Sequence, residues 1–183
     1  MSDIDRILSF WLDEIGPAGW YEFDDAVDKR IVAEFSELWN RAMDGELAGW
    51  CCSARGTLAF LILTDQFPRN MFRGTGQAFA SDRLARRAAK LAIQSGFDMR
   101  TAEPERQFFY LPLMHSEVLT DQERCVRMFL TRLPVVGPEQ LGYAVDHRSV
   151  IRKFGRFPSR NAALGRTDSA AELTYRAEGG YMS

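Results

Sequence analysis

Apolar residues along this chain recur at three- and four-residue steps, segment after segment, with no run that alternates in twos. That period matches the turn of an α-helix and does not suit a half-buried strand, whose successive side chains face opposite sides. Ser2 stands as a cap before Ile4, Ile7, Leu8 and Trp11, and Gly16-Pro17 closes that run. A second run opens at Asp24-Asp25, sets Val27, Ile31, Phe35, Leu38 and Ala42 at helical spacing, and is followed by Gly45. A third starts near Ser53 and is expected to end at Pro68, since the residue before a proline is pushed out of helical geometry. The fourth runs from Ser81-Asp82 through Leu84, Ala88, Leu91 and Ala92 to Gly96. Pro104 opens a fifth, carrying FFYLPLMHSEV, which Pro112 should kink or split. Thr120 with Glu123 reads as a capping box for a sixth, and Cys125, Met128, Phe129 and Leu133 share its face. Pro138 begins a seventh that runs to Gly155, and Ser169 with Glu172 forms another capping box before a short last helix.

The expected fold class is therefore all-α, with seven or eight helices in antiparallel pairs joined by short turns, in one domain over residues 1–183. No Gly/Ser/Pro-rich linker divides it, and no clean 34-residue repeat is present. One local echo exists, DQFPRN at 65–70 and GRFPSRN at 155–161, either a faint duplication or two similar helix exits. With 183 residues, 46% of them apolar, the chain is large enough to fold on its own core. Trp11, Trp20, Trp39 and Trp50 all fall in the first 50 residues and read as packing aromatics, with a groove for a partner helix as the alternative.

Charge and cysteine content narrow the functional classes. The longest apolar run, Leu58 to Leu63, is far short of the roughly 20 residues that span a bilayer, so no membrane partner is expected. The acidic start MSDIDRILSF lacks a secretory pattern, and three cysteines, two of them adjacent, do not make a disulfide framework. A cytoplasmic protein with reduced thiols fits both features. The net charge of −2 argues against nucleic acid as a partner. It hides a gradient: residues 1–50 hold 12 acidic and 4 basic residues, whereas 147–166 hold 6 basic and no acidic ones. An acidic surface at one end and a basic one at the other are expected. Arginines outnumber lysines 20 to 3, and arginine is the side chain suited to bidentate carboxylate and phosphate contacts.

Three ionisable residues occupy apolar stripes. Asp65 follows Leu58, Leu61 and Ile62; His115 follows Phe108 and Leu111 and precedes Val118; His147 lies among Tyr143, Val150, Ile151 and Phe154. Burying such a group is costly unless it is paired. Nearby partners are Arg69 and Asn70 for Asp65, Glu117 for His115, and Arg156, Arg160, Asn161 and Arg166 for His147. A metal site is not expected, because His115 and Glu117 point to different sides of a regular helix and no H-E-x-x-H or C-x-x-C occurs. A cysteine nucleophile is not favoured, since Cys125 sits on an apolar face and Cys51-Cys52 lie beside Trp50 in a turn. RGTGQAF at 73–79 follows no strand and is not a phosphate loop, so no cofactor is implied.

The segments LTDQFPRNMFRGTGQAFASD, QFFYLPLMHSEVLTDQE and VIRKFGRFPSRNAALGR resemble, in order, the signature blocks of an uncharacterised bacterial family, number 924 among the domains of unknown function. The opening ILSFW and the turn YEFDDAVDKRI extend the resemblance over essentially the whole chain. It implies a tetratricopeptide-like, right-handed arrangement of helix pairs and carries no reaction or ligand. Two departures are visible: Met71-Phe72 replaces an aliphatic-aromatic pair, and Cys51-Cys52 stands where polar residues are usual.

The residues favour a binding module that recognises a small anionic ligand or a peptide through Arg69, Asn70, Arg156, Arg160, Asn161 and Arg166. One alternative is an enzyme acting on a small phosphate- or carboxylate-bearing substrate, with His115 or His147 as acid/base and Asp65 or Glu117 assisting. The other is a structural or assembly protein held by a buried polar network. Asp65, Arg69, Asn70, His115, Glu117, His147, Arg156, Arg160 and Asn161 are expected to converge on one site, with arginines flanking the histidines.

Overall fold

The computed structural model describes residues 1–181, and among them the chain is helical with no strand. Helix α1, Asp3–Leu8, continues as a π-helical Ser9–Ile15. It starts where the Ser2 hydroxyl accepts the Asp5 amide at 3.2 Å, and Gly16, with φ of 65°, stops it. Helix α2 is Asp25–Met43, capped by the Asp24 carboxylate and burying Ile31, Phe35, Leu38, Trp39 and Ala42. Helix α3 begins as Ala54–Leu61, passes through a π-helical Ile62–Gln66 and resumes as Phe67–Met71. Helices α4 (Asp82–Gln94), α5 (Leu111–Met114), α6 (Leu119–Arg132), α7 (Gly137–Phe154) and α8 (Ala170–Ala177) complete the fold. Gly155 ends α7 in the left-handed region, and both halves of the Ser169/Glu172 capping box are made.

Every residue from Gly56 to Pro68 is buried, so α3 is the axis on which α1, α2 and α4 pack. Phe67 at its far end meets Phe10, Trp11 and Phe35 within 5.9 Å between ring centroids. Trp11, Trp20 and Trp39 are core residues, as the packing reading holds. Helices α6 and α7 form an antiparallel hairpin, because Glu123, early in α6, pairs with Arg148 and Arg152, late in α7. A smaller cluster of Val150, Ile151 and Phe157 lies under α8 and Tyr181.

Three sequence expectations are corrected here. Helix α3 does not end at Pro68. A proline in a helix costs the bond to residue i−4, here the Thr64 carbonyl, and crowds that carbonyl. The π-helical turn over Ile62–Gln66 widens the ladder, and the Ser81 hydroxyl donates to the Thr64 oxygen at 2.6 Å in place of the missing amide. Second, the chain from Pro104 to Val118 is split near Pro112 as expected, but less of it is helical than a kinked helix would be. A 3-10 turn over Glu105–Phe109 leads into the single turn of α5, with Pro112 in its first positions, and the chain is irregular after it. Val118 leaves the apolar stripe and is 43% exposed. Third, Thr120 is exposed and caps nothing; α6 starts one residue earlier. Buried Ser116, Asp121 and Gln122 do the joining instead, Gln122 donating to the carbonyls of Met114 and Ser116 at 2.5 and 2.7 Å.

The five arginines of the expected basic surface over 147–166 are all paired. Arg148 and Arg152 pair with Glu123, Arg156 with Glu172, Arg160 with Asp82, and Arg166 with Glu117. Four carboxylates from elsewhere in the chain thus offset part of the local positive charge.

The repair at Pro68 can be tested. Ser81 also accepts the Trp39 indole N–H at 3.1 Å, so Ser81→Ala strands a buried acceptor and a buried donor together. Urea unfolding should show a loss of about 2–4 kcal/mol, given about 1–3 kcal/mol for each buried group left unpaired. A loss below about 0.5 kcal/mol would contradict this role for the hydroxyl.

Candidate functional site

Asp65 stands on the π-helical turn of α3 and is 1% exposed. An ionised carboxylate at that depth needs donors, and three reach it. Gln66 donates at 2.6 Å, Arg69 lies at 3.4 Å, and the His115 Nδ1 sits 3.0 Å from both carboxylate oxygens. Burial works against the charge, but His115, Arg69 and Gln66 outweigh it and hold the Asp65 carboxyl below its usual range. His115 caps the end of α5, which the split at Pro112 places directly against α3.

Arg69 extends the arrangement. Its guanidinium donates to the Ala78 carbonyl at 3.2 Å and to Asp82 at 3.1 Å. The other Asp82 oxygen takes Arg160 at 3.2 Å, from the turn after α7. Arg160 is held between the faces of Phe79 and Phe157, 4.5 Å from each ring centroid. The two echoed segments therefore meet at Asp82 although their backbones differ, the first being helical and the second a 3-10 turn over Pro158–Arg160. Burial and the neighbouring Arg69 draw the Arg160 guanidinium down to about 10, where it still carries its charge at neutral pH.

His147, from α7, brings its ring centroid to 6.3 Å from that of His115. Its Nδ1 lies 2.8 Å from the Tyr143 carbonyl and 3.3 Å from the Tyr181 hydroxyl. A carbonyl only accepts, so Nδ1 carries the proton. The same holds for His115 against the Asp65 carboxylate, and in both neutral rings Nε2 is left as an acceptor. Burial lowers both imidazoles to about 4; Arg69 adds to that at His115, and Arg160 and Arg69 at His147, against the pull of Asp65 and of the Tyr143 carbonyl.

These side chains line a cavity of about 330 Å³, with Arg69, Arg73, Phe79, His115, His147, Ser159 and Arg160 in its wall. Every charged residue in that wall is an arginine; the carboxylates that fix them, Asp28, Asp65 and Asp82, stand behind it.

Four of the expected site residues take part in the wall, namely Arg69, His115, His147 and Arg160, with Asp65 supporting it. The other five lie elsewhere. Asn70 donates to Asp28 at 2.7 Å on the α2 side. Glu117 accepts from Arg166 and from the Phe157 amide, Arg156 grips Glu172, and Asn161 donates to Asp168. These contacts close the 155–172 segment onto the helices and hold the Glu117 and Glu172 carboxyls below their usual range. Asp82, Phe79, Arg73, Ser159 and Tyr181 were not singled out from the sequence. Arg73 lies in the turn just past the end of α3 at Met71, where helical spacing gives no guide to its side.

None of the three cysteines lines this cavity. All three are free; burial pushes the Cys51 thiol up to about 11 and raises that of buried Cys125 further. Among the described residues, no group of three or more His, Cys, Asp or Glu side chains is placed to hold a metal ion.

A family profile described as a bacterial protein of unknown function, DUF924, matches residues 7–180. The chain belongs to this family. A solved structure of a protein of unknown function from Agrobacterium tumefaciens is 39% identical and superposes with a TM-score of 0.89, covering 96% of this chain and 97% of that one. No curated protein matches the sequence. The family assignment and the all-helical fold thus agree with the sequence reading, while neither comparison names a ligand or reaction.

The neutral, buried imidazoles have a consequence for stability. Each has its native value near 4 against 6.5 when unfolded, so between those values the unfolded chain binds protons that the native chain refuses. Stability should therefore fall as pH drops from about 6.5 towards 4, by up to about 1.4 kcal/mol per pH unit per histidine. Urea unfolding across this range should show the slope, and His147→Phe should remove roughly half of it. Stability that stays level from pH 7 to 4.5 would contradict the account.

Proposed function

We propose that this DUF924 protein binds a small anionic molecule, carrying a carboxylate or phosphate group, in the cavity between α3, α5, α7 and the 155–161 turn. The observation that carries this reading is the wall itself, which presents three arginines and two histidines and no carboxylate to a space of about 330 Å³. A guanidinium has five N–H donors, and Asp82 takes only one terminal nitrogen of Arg160, so donors remain for a ligand. The volume lies at the small end of ligand sites, about 300–1,000 Å³, and suits a metabolite better than the extended peptide that a tetratricopeptide-like groove would take. Nucleic acid is disfavoured because the five arginines of 147–166 are already paired with carboxylates. The three free thiols suit a reducing, cytoplasmic setting.

A second reading is favoured by one contact. An imidazole oriented by a buried carboxylate, as His115 is by Asp65, is the arrangement a general base uses, with Nε2 as the atom that takes the proton. On this reading the same cavity holds an anionic substrate and His115 acts on it.

Calorimetric titration with inorganic phosphate and small carboxylates tests the proposal. Binding should weaken about tenfold or more in Arg160→Gln, as loss of a charge-assisted contact implies. Arg156→Ala, which breaks the Glu172 pairing and the bond to the Thr167 carbonyl, both outside the cavity, should lower stability and leave affinity within about twofold. An absence of binding at millimolar concentrations, or equal loss in both variants, would instead assign the whole network to structure.

A further inference from the structure

Resting on that reading, we infer that the ligand is an anion that also carries its own hydroxyl donor, a hydroxy-carboxylate or a hydroxyalkyl phosphate, with the anionic group on Arg69 and Arg160 and the hydroxyl on the histidines. The argument is one of matched donors and acceptors. Guanidinium groups only donate, so the part of the ligand that faces Arg69 and Arg160 must accept. The histidines impose the opposite demand. The Nδ1 proton of His115 is committed to Asp65, and that of His147 to the Tyr143 carbonyl. Each ring is thereby fixed in the tautomer whose second nitrogen only accepts. With 6.3 Å between ring centroids, the two acceptors belong to one small space and can address one ligand.

A plain carboxylate or phosphate satisfies the arginines and leaves its remaining surface facing two bare lone pairs. An added hydroxyl supplies the proton those nitrogens lack. Burying an acceptor against another acceptor is penalised more than a merely absent contact, so discrimination against the plain anion is built into the site. The support behind each ring makes the demand firm. Asp65 is itself held by Gln66 and Arg69, and the Tyr143 carbonyl belongs to the rigid α7. Turning either ring would give up the bond its Nδ1 makes, to the buried Asp65 carboxylate at His115 and to the Tyr143 carbonyl at His147.

Paired titrations on the intact protein separate this inference from the reading it rests on. Lactate is compared with propionate, and glycerol 3-phosphate with propyl phosphate, by calorimetry at neutral pH. The hydroxylated member of at least one pair should bind about fivefold or more tightly, which is what one additional hydrogen bond supplies. The pair that shows the preference tells a carboxylate site from a phosphate site. His115→Asn retains a donor to Asp65 while deleting Nε2, and His147→Phe keeps the ring against Phe157 and Tyr181 while deleting both nitrogens. In one or both variants the hydroxyl preference should fall towards unity. Equal binding of both members of each pair overturns the inference and leaves the anion site standing. Binding of none of the four removes the site and the inference together. A preference that persists undiminished in both variants places hydroxyl recognition elsewhere and also overturns it. The comparison in the unsubstituted protein decides the first two outcomes even if a variant fails to fold.

Discussion

A carboxylate placed in the densest part of a helical core has to be answered from several sides, and Asp65 is that group here. Its own helix supplies Gln66 and Arg69, and the end of α5 supplies His115. Arg69, once drawn in, shares Asp82 with Arg160, which fixes the turn after α7 against the start of α4. Segments far apart in sequence are tied by one chain of charge: α3 to α5, α3 to α4, and α4 to the 155–161 turn. Removing a partner from such a chain leaves a buried charge uncompensated, which is why these contacts hold position as well as energy.

The backbone is shaped to the same end. A regular helix interrupted at Pro68 would have ended at the Asp65 turn. The π-helical widening, with Ser81 bonding to the Thr64 carbonyl, lets α3 continue to Met71 and presents Asp65 and Arg69 to the same neighbours. Likewise the break at Pro112 turns the His115 ring towards Asp65 instead of leaving it along a continuous helix face. Both prolines disturb their helices, and both disturbances fall at the site, where departures from regular geometry are often concentrated.

Much of this was legible in the amino-acid order. Helical period, the caps at Ser2, Asp24 and Ser169, and the left-handed glycine at Gly155 are local features, so they survive folding unchanged. Asp65, His115 and His147 stood out because an ionisable group on an apolar stripe demands a partner. What was hidden is tertiary. Nothing near Pro68 announces that Ser81 replaces its missing donor. Thr120 with Glu123 has the form of a cap, yet Ser116, Asp121 and Gln122 join the chain there. Glu117, Arg156, Asn161 and Arg166 were grouped with the histidines by proximity in sequence, but each finds a nearer counter-charge or amide along the 155–172 segment. The run of basic residues was legible, whereas the carboxylates that the fold brings against its arginines were not.

The two polar networks therefore have different work. The outer one, around Glu117, Glu172 and Asp168, fastens the last segment. The inner one orients two imidazoles and two guanidinium groups on a shared cavity. Its central claim is that both histidines are neutral, with the proton on Nδ1 and Nε2 accepting. Because the chain has only these two histidines, a long-range proton–nitrogen NMR spectrum of the imidazoles at neutral pH reads the claim directly. The account expects two neutral rings, each with a protonated Nδ1 and an unprotonated Nε2. A charged imidazolium, or a proton on Nε2 of either ring, would contradict it.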